Sequence, residues 1–190
     1  MATIFNESDF NSADGMLTSV WGPSMWHFLH TMSFNYPVKP TKQDKINYKN
    51  YLLSLQSILP CRHCRDNFWN NLEKVNYSEK VFNSRKNFSK FIYDLHEEVN
   101  SMLGKKSNLT YSEAKVRYEH FRARCLKDNN KAKKVSGKKI EKGCVDSLYG
   151  KKSKCVLNIV PKESKVKSFK MSPKCIINRL NQNKCLLNNY

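Results

Sequence analysis

The sequence predicts an all-α fold: a four-helix bundle with a short fifth helix, followed by a basic, largely irregular C-terminal tail. Three observations in the 190-residue chain carry this expectation. Apolar residues recur at helical spacing in four segments after Trp21, and three of those segments run into Pro37, Pro60 or Gly104. No alternation of strand and helix patterns appears. Amphipathic helices joined by short connections need each other's apolar stripes, and short loops place neighbours side by side.

Residues 1–20 show no sustained period and read as a poorly ordered lead-in. Gly22-Pro23 suits a helix start, because a first-turn proline surrenders an amide that has no intrahelical partner anyway. Met25, Phe28, Leu29, Met32 and Tyr36 then keep helical spacing up to Pro37. Thr41 and Asp44 form a capping pair for a second helix, whose stripe of Tyr51, Leu52, Leu55, Ile58 and Leu59 ends at Pro60. A short third helix is expected over Arg62 to Leu72, with Cys61 at its N-terminus. Asn83-Ser84 offers a cap for the fourth, and Phe88, Phe91, Ile92, Leu95, Val99, Met102 and Leu103 give the clearest period in the chain. Thr110 and Glu113 form a second capping pair, from which Ala114, Tyr118, Phe121 and Cys125 extend a fifth helix.

The domain boundaries follow from composition: a lead-in over 1–20, a helical domain over 21–125 and a cysteine-containing basic tail over 126–190. An apolar content of 39% fills one ordinary core. Of the formal charge of +18, +13 lies in residues 126–190. Such a tail attracts nucleic acid or an acidic partner, but its few aromatics offer little surface for stacking bases, and a solvated basic segment is the plainer reading. No apolar run approaches the roughly 20 residues of a membrane-spanning helix, so a soluble protein without a membrane span is expected. The first 20 residues resemble neither a secretory signal nor a transit peptide.

Seven cysteines cannot all pair within one chain. Cys61-Arg-His-Cys64 is the sharpest motif, since two thiols three positions apart at a helix start can close a small disulfide ring. The helix N-terminus, with Arg62, His63 and Arg65 nearby, favours a thiolate and thiol exchange. Half of a zinc site and an inert local disulfide are the competing readings. Zinc needs two further ligands, and no second CxxC is present to supply them, so no metal ligand is assigned. A thioredoxin-like enzyme needs strands around the motif, which here lies among helices.

From Trp21 to Cys125 the chain resembles the Erv/ALR family of FAD-linked sulfhydryl oxidases. Gly22, Trp26, Leu29 and His30 followed by Tyr36-Pro37 resemble the family's first-helix signature. Pro60-Cys61-x-x-Cys64 resembles its active-site motif, and Leu95-His96-x-Glu98-Val99-Asn100 with Leu103-Gly104-Lys105 its fourth-helix signature. Arg117-Tyr118 stands where the family commonly has Arg-Trp. The resemblance implies FAD held beside the CxxC disulfide, with Gly22, Trp26, His30, Tyr36, His96, Asn100, Lys105 and Tyr118 at the cofactor, often in a homodimer. It further implies that a dithiol protein substrate, or a thioredoxin-like protein, attacks Cys61. Cys64 then delivers electrons to the flavin, and molecular oxygen receives them as hydrogen peroxide.

Departures are visible as well. Pro23 replaces an arginine common after the first glycine, Asp94 and Glu97 stand where histidine and asparagine are frequent, and Tyr111 replaces a cysteine that would pair with Cys125. Pro23 and the loss of that disulfide suggest a viral branch of the family, and the Lys/Asn/Ile-rich composition fits a large DNA virus, so host cytoplasm, viral assembly sites or the particle is the expected location. Many relatives relay electrons through a second cysteine pair. Cys144 with Cys155, or Cys175 with Cys185, could serve as such a shuttle, against the alternative that they are structural pairs or free thiols. The rival to an enzyme is a zinc-binding or nucleic-acid-binding interaction module.

Overall fold

The computed structural model describes residues 6–126 and 143–149. The chain divides into two compact units, residues 1–113 and 114–190. The first contains helices α1 (Glu7–Asn11), α2 (Thr18–Phe34), α3 (Lys42–Ile58), α4 (Arg62–Lys74) and α5 (Arg85–Met102), with a 3-10 turn at Glu79–Asn83 before α5. Helix α2 packs on α5, α3 on α4, and α4 on α5. No helix among the described residues is long and apolar enough to cross a membrane.

The core forms where the stripes meet. Leu29 and Tyr36, Leu52 and Leu55, Phe68 and Leu72, and Phe88, Phe91, Ile92 and Leu95 are all buried in one cluster. Fully burying an aliphatic or aromatic side chain of this kind stabilises by about 1.5–3 kcal/mol. Phe82, on the 3-10 turn, joins the same cluster. Its burial has no counterpart in the sequence pattern, because one aromatic in a short turn has no period.

Caps mark the boundaries. The Thr41 hydroxyl accepts the Asp44 amide at 3.1 Å, while the Asp44 carboxylate accepts the Thr41 amide at 2.8 Å. Ser84 accepts the Asn87 amide at 3.1 Å. Thr110 and Glu113 reciprocate in the same way, at 2.8 and 3.3 Å. Each such cap contributes on the order of 1 kcal/mol.

Helix α2 begins at Thr18, so Pro23 lies inside it instead of opening it. The start is fixed upstream: the Trp21 indole N–H donates to the Met16 carbonyl at 2.9 Å, and Met16 is itself held against Pro60. The proline leaves one intrahelical carbonyl without its usual amide partner. Residues 6–20, expected as a lead-in without order, instead carry α1 and the segment that pairs with Pro60 and Arg62.

Helix α6 (Tyr111–Glu119) begins at the Thr110 cap. It stops short of Cys125, which the sequence pattern includes in the helix. The Arg122 guanidinium forks onto the Glu119 carboxylate, and the chain then extends into strand β1 (Ala123–Leu126), antiparallel to β2 (Gly143–Ser147). Ala123 faces Ser147, and Leu126 faces Gly143. Cross-strand pairing overrides a helical period of only four marked residues. The strand suggested by Cys155 to Val160 lies outside the described residues.

Candidate functional site

Pro60 ends the run that brings α3 to the cysteines, and Cys61 is the N-cap of α4 in extended conformation, φ −161° and ψ 115°. Cys61 and Cys64 form a disulfide with Cα atoms 5.2 Å apart. The Cys61 sulfur also accepts the Cys64 amide at 3.1 Å, so it satisfies one of the orphan donors of the helix start. Both cysteines are part-buried, while Arg62 and His63 are exposed. The disulfide thus joins two residues that are each only part-buried, at an exposed helix start.

The arginines expected to provide positive potential are partly engaged elsewhere. Arg62 pairs with Asp14 at 2.9 Å. Arg65 donates to the carbonyls of Leu59 at 2.6 Å and Ala13 at 3.3 Å. These contacts belong to a segment that sequence reasoning missed, residues 13–16, whose only signal was the Asp14-Gly15 turn dipeptide.

A second group assembles where α2 crosses α5. His30 Nε2 and His96 Nδ1 share a hydrogen bond at 2.9 Å. The Trp26 indole stacks on the His96 ring, 4.1 Å between centroids and 9° from parallel. Burial, then the neighbouring His96 and His27, pushes the His30 imidazole down to about 3. Burial likewise brings His96 to about 4, with the Glu97 carboxylate opposing and the Lys105 ammonium reinforcing the shift. Both rings are neutral at pH 7.

That neutrality predicts a stability profile. An unfolded histidine protonates near pH 6.5, whereas the folded pair resists, so the stabilisation is complete above that pH and is lost as pH falls towards the folded values. Lowering the pH from 7 to 5 should cost about 2 kcal/mol per histidine, read as a fall in urea midpoint. His96→Gln should flatten the profile; an unchanged slope would contradict the neutral pair.

Asn100 lies one turn beyond His96 and donates to the Glu97 carboxylate at 3.1 Å. Ser107 donates to the same carboxylate at 2.9 Å. Gly104, at φ +65°, turns the chain out of α5, and the Lys105 amide returns to the Asn100 carbonyl at 2.8 Å. The loop and α5 enclose a cleft of about 550 Å³ lined by Tyr93, Glu97, Lys105, Ser107 and Thr110, among others. Asp94 is drawn into an ion pair with Lys90 on its own helix.

The structure thus brings together Trp26, His30 and His96, with Asn100 one turn on along α5 and Lys105 in the loop that leaves it. Gly22 lies on α2 with open space where a side chain would project. Tyr36 is elsewhere: it is fully buried, edge-on to Tyr48 at 4.6 Å, with its hydroxyl donated to the Phe82 carbonyl at 2.8 Å. Tyr118 belongs to the second unit, edge-on to Phe121 at 5.7 Å, and burial pushes its phenol up to about 12. Cys144 lies on β2, exposed and disulfide-bonded. Cys155, Cys175 and Cys185 lie outside the described residues. Among the described residues no cluster of three or more His, Cys, Asp or Glu side chains could hold a metal.

The model of the Erv1/Alr family matches residues 23–122. A probable FAD-linked sulfhydryl oxidase of Acanthamoeba polyphaga mimivirus is 40% identical over 94 residues, covering 50% of this chain and 65% of that protein. An FAD-linked sulfhydryl oxidase of Arabidopsis thaliana is 37% identical over 84 residues, 44% of this chain and 42% of its own length. The match therefore spans less than two thirds of either relative. The yeast Erv1 core crystal structure shares the fold, with a TM-score of 0.50 at 24% identity, over 62% of this chain and 92% of that one.

Proposed function

The chain belongs to the Erv1/Alr family, and on that premise we propose that it is an FAD-dependent thiol oxidase that forms protein disulfides through Cys61 and Cys64. The observation that carries this reading is the part-buried Cys61–Cys64 disulfide at the start of α4. The names of its relatives, FAD-linked sulfhydryl oxidases, support it.

The residues present suit a flavin nucleotide. The flat Trp26–His96 stack offers an aromatic face to a ring system. The neutral His30–His96 pair offers hydrogen-bonding nitrogens without a charge to desolvate. Lys105, whose charge is felt at His96, suits a diphosphate, and Asn100 adds an amide. Gly22 leaves room beside α2, while Tyr36 and Tyr118 are assigned to the cofactor by the resemblance alone. Bound FAD would supply a two-electron acceptor able to pass its electrons to molecular oxygen.

The chain's own contribution is positional. A substrate thiolate attacks Cys61, the S–S bond breaks, and Cys64 leaves as a thiolate at a helix N-terminus that favours negative charge. A second substrate thiol resolves the mixed disulfide and releases Cys61. The substrate class is a protein dithiol, and oxygen is the final acceptor, giving hydrogen peroxide. A homodimer belongs to the same proposal, supported by Val20 and Phe28, which leave apolar side chains of α2 exposed.

Purified full-length protein should be yellow, bind FAD stoichiometrically and consume oxygen on addition of dithiothreitol. Colourless protein that does not take up FAD would overturn the reading.

A further inference from the structure

Residues 13–16 lie against the backbone of Cys61. The Met16 amide donates to the Pro60 carbonyl at 2.7 Å and the Arg62 amide to the Asp14 carbonyl at 2.8 Å. These bonds flank Cys61 on both sides and pair it with Gly15 in an isolated antiparallel bridge. The Asp14–Arg62 ion pair and the Arg65 bond to Ala13 fasten the same segment.

The approach is too close for any residue but glycine. A Cβ at position 15 would lie 2.5 Å from the Pro60 oxygen and 2.8 Å from the Cys61 Cα, and the backbone there has φ +112°. Gly15 adds no side chain over Cys61, and Cys61 is part-exposed with the segment in place.

The attachment is also of a kind that opens readily. Every residue from Asn11 to Val20 is exposed, so hydrogen bonds and a surface ion pair hold the segment, with no apolar burial behind them. Elements of that type sit at the low-stability end of a fold.

The Pro60 carbonyl and the Arg62 amide are the groups with which an extended polypeptide would pair as it carried a thiol to Cys61. The segment already occupies both. We propose that residues 13–16 form a releasable strap that selects among thiol substrates: small dithiols reach Cys61 with the strap closed, whereas a cysteine in an extended polypeptide must displace the strap and pair with Pro60 and Arg62 in its place. The proposal rests on Cys61 being the sulfur attacked. In that step one substrate S–S bond to Cys61 forms, the Cys61–Cys64 bond breaks, and the electron pair leaves on Cys64.

The test uses the full-length protein with Gly15→Val, which drives a branched side chain into Pro60, and Asp14→Lys, which sets a like charge against Arg62. Asp14→Lys alters only the surface and carries the test if Gly15→Val lowers the melting temperature. With reduced, unfolded ribonuclease A as substrate, kcat/KM should rise about fivefold or more, while the value for dithiothreitol stays within about twofold. A second measurement needs no cofactor or turnover. After reduction with a phosphine, labelling of Cys61 by a polyethylene-glycol maleimide should accelerate in both variants while labelling by iodoacetamide does not.

Equal changes for large and small probes, or no change in either variant, would overturn the strap. A wild type that labels selectively yet oxidises neither thiol would leave the strap standing and remove the oxidase reading instead.

Discussion

Cys64→Ser should lose thiol oxidation by a factor of about a thousand or more while keeping its flavin, because the variant removes the group that leaves as the substrate attacks. The fold should tolerate the change. The Cys61 sulfur accepts the backbone amide of residue 64, not its side chain, so the cap of α4 survives. The disulfide joins residues only three apart, and closing so short a loop stabilises by about 2 kcal/mol. Oxygen uptake with dithiothreitol measures the first effect and flavin absorbance the second. Activity within tenfold of wild type would show that another pair does the chemistry. Cys61→Ser should be equally inactive, since serine caps a helix well but cannot form the mixed disulfide.

Phe88→Ala should cost about 3–5 kcal/mol, a large share of the 5–15 kcal/mol by which domains are usually stable. Phe88 is fully buried and touches three rings: Tyr36 at 5.1 Å, Phe82 at 5.3 Å and Tyr48 at 5.6 Å. Removing it strands contributions from α3, from the segment that follows α2 and from the 3-10 turn at once. Phe28→Ala is the matched control, because Phe28 is 53% exposed and should change stability by less than about 0.5 kcal/mol in the monomer. Guanidinium denaturation of both variants measures the contrast; similar costs would mean that the core is not where the buried rings place it.

Those two phenylalanines also show how far the sequence could be read. Both fit a helical stripe, and both would be counted as core from spacing alone. Periodicity identifies a face but not which part of it finds a partner, so Phe28, Ile58 and Leu103 fit apolar stripes although they stand exposed. Capping was more legible, since Thr41, Ser84 and Thr110 act within three residues of themselves. Long-range contacts left weaker traces. The Tyr36 hydroxyl meets a carbonyl 46 residues away, and the pairing of Ala123 with Ser147 turns into a strand what local pattern would have continued as helix.

The candidate site divides in the same way. Cys61 and Cys64 announce themselves by spacing, and His96 and Asn100 by their separation of one helical turn. The contact of Trp26 with His96 depends on how α2 crosses α5, which no local pattern encodes. The pairing of residues 13–16 leaves little local trace because its partners are mainly Pro60, Arg62 and Arg65, some 45 residues further along the chain.

The sulfur cap at the head of α4 makes one backbone position a spectator of the chemistry. The Cys64 N–H is the donor to the Cys61 sulfur, so its nuclear magnetic resonance frequency and its hydrogen–deuterium exchange rate depend on the bonding state of that sulfur. Isotopic labelling of cysteine alone would make this amide a reporter of disulfide, thiolate and mixed-disulfide forms, observed from inside the protein without any added dye.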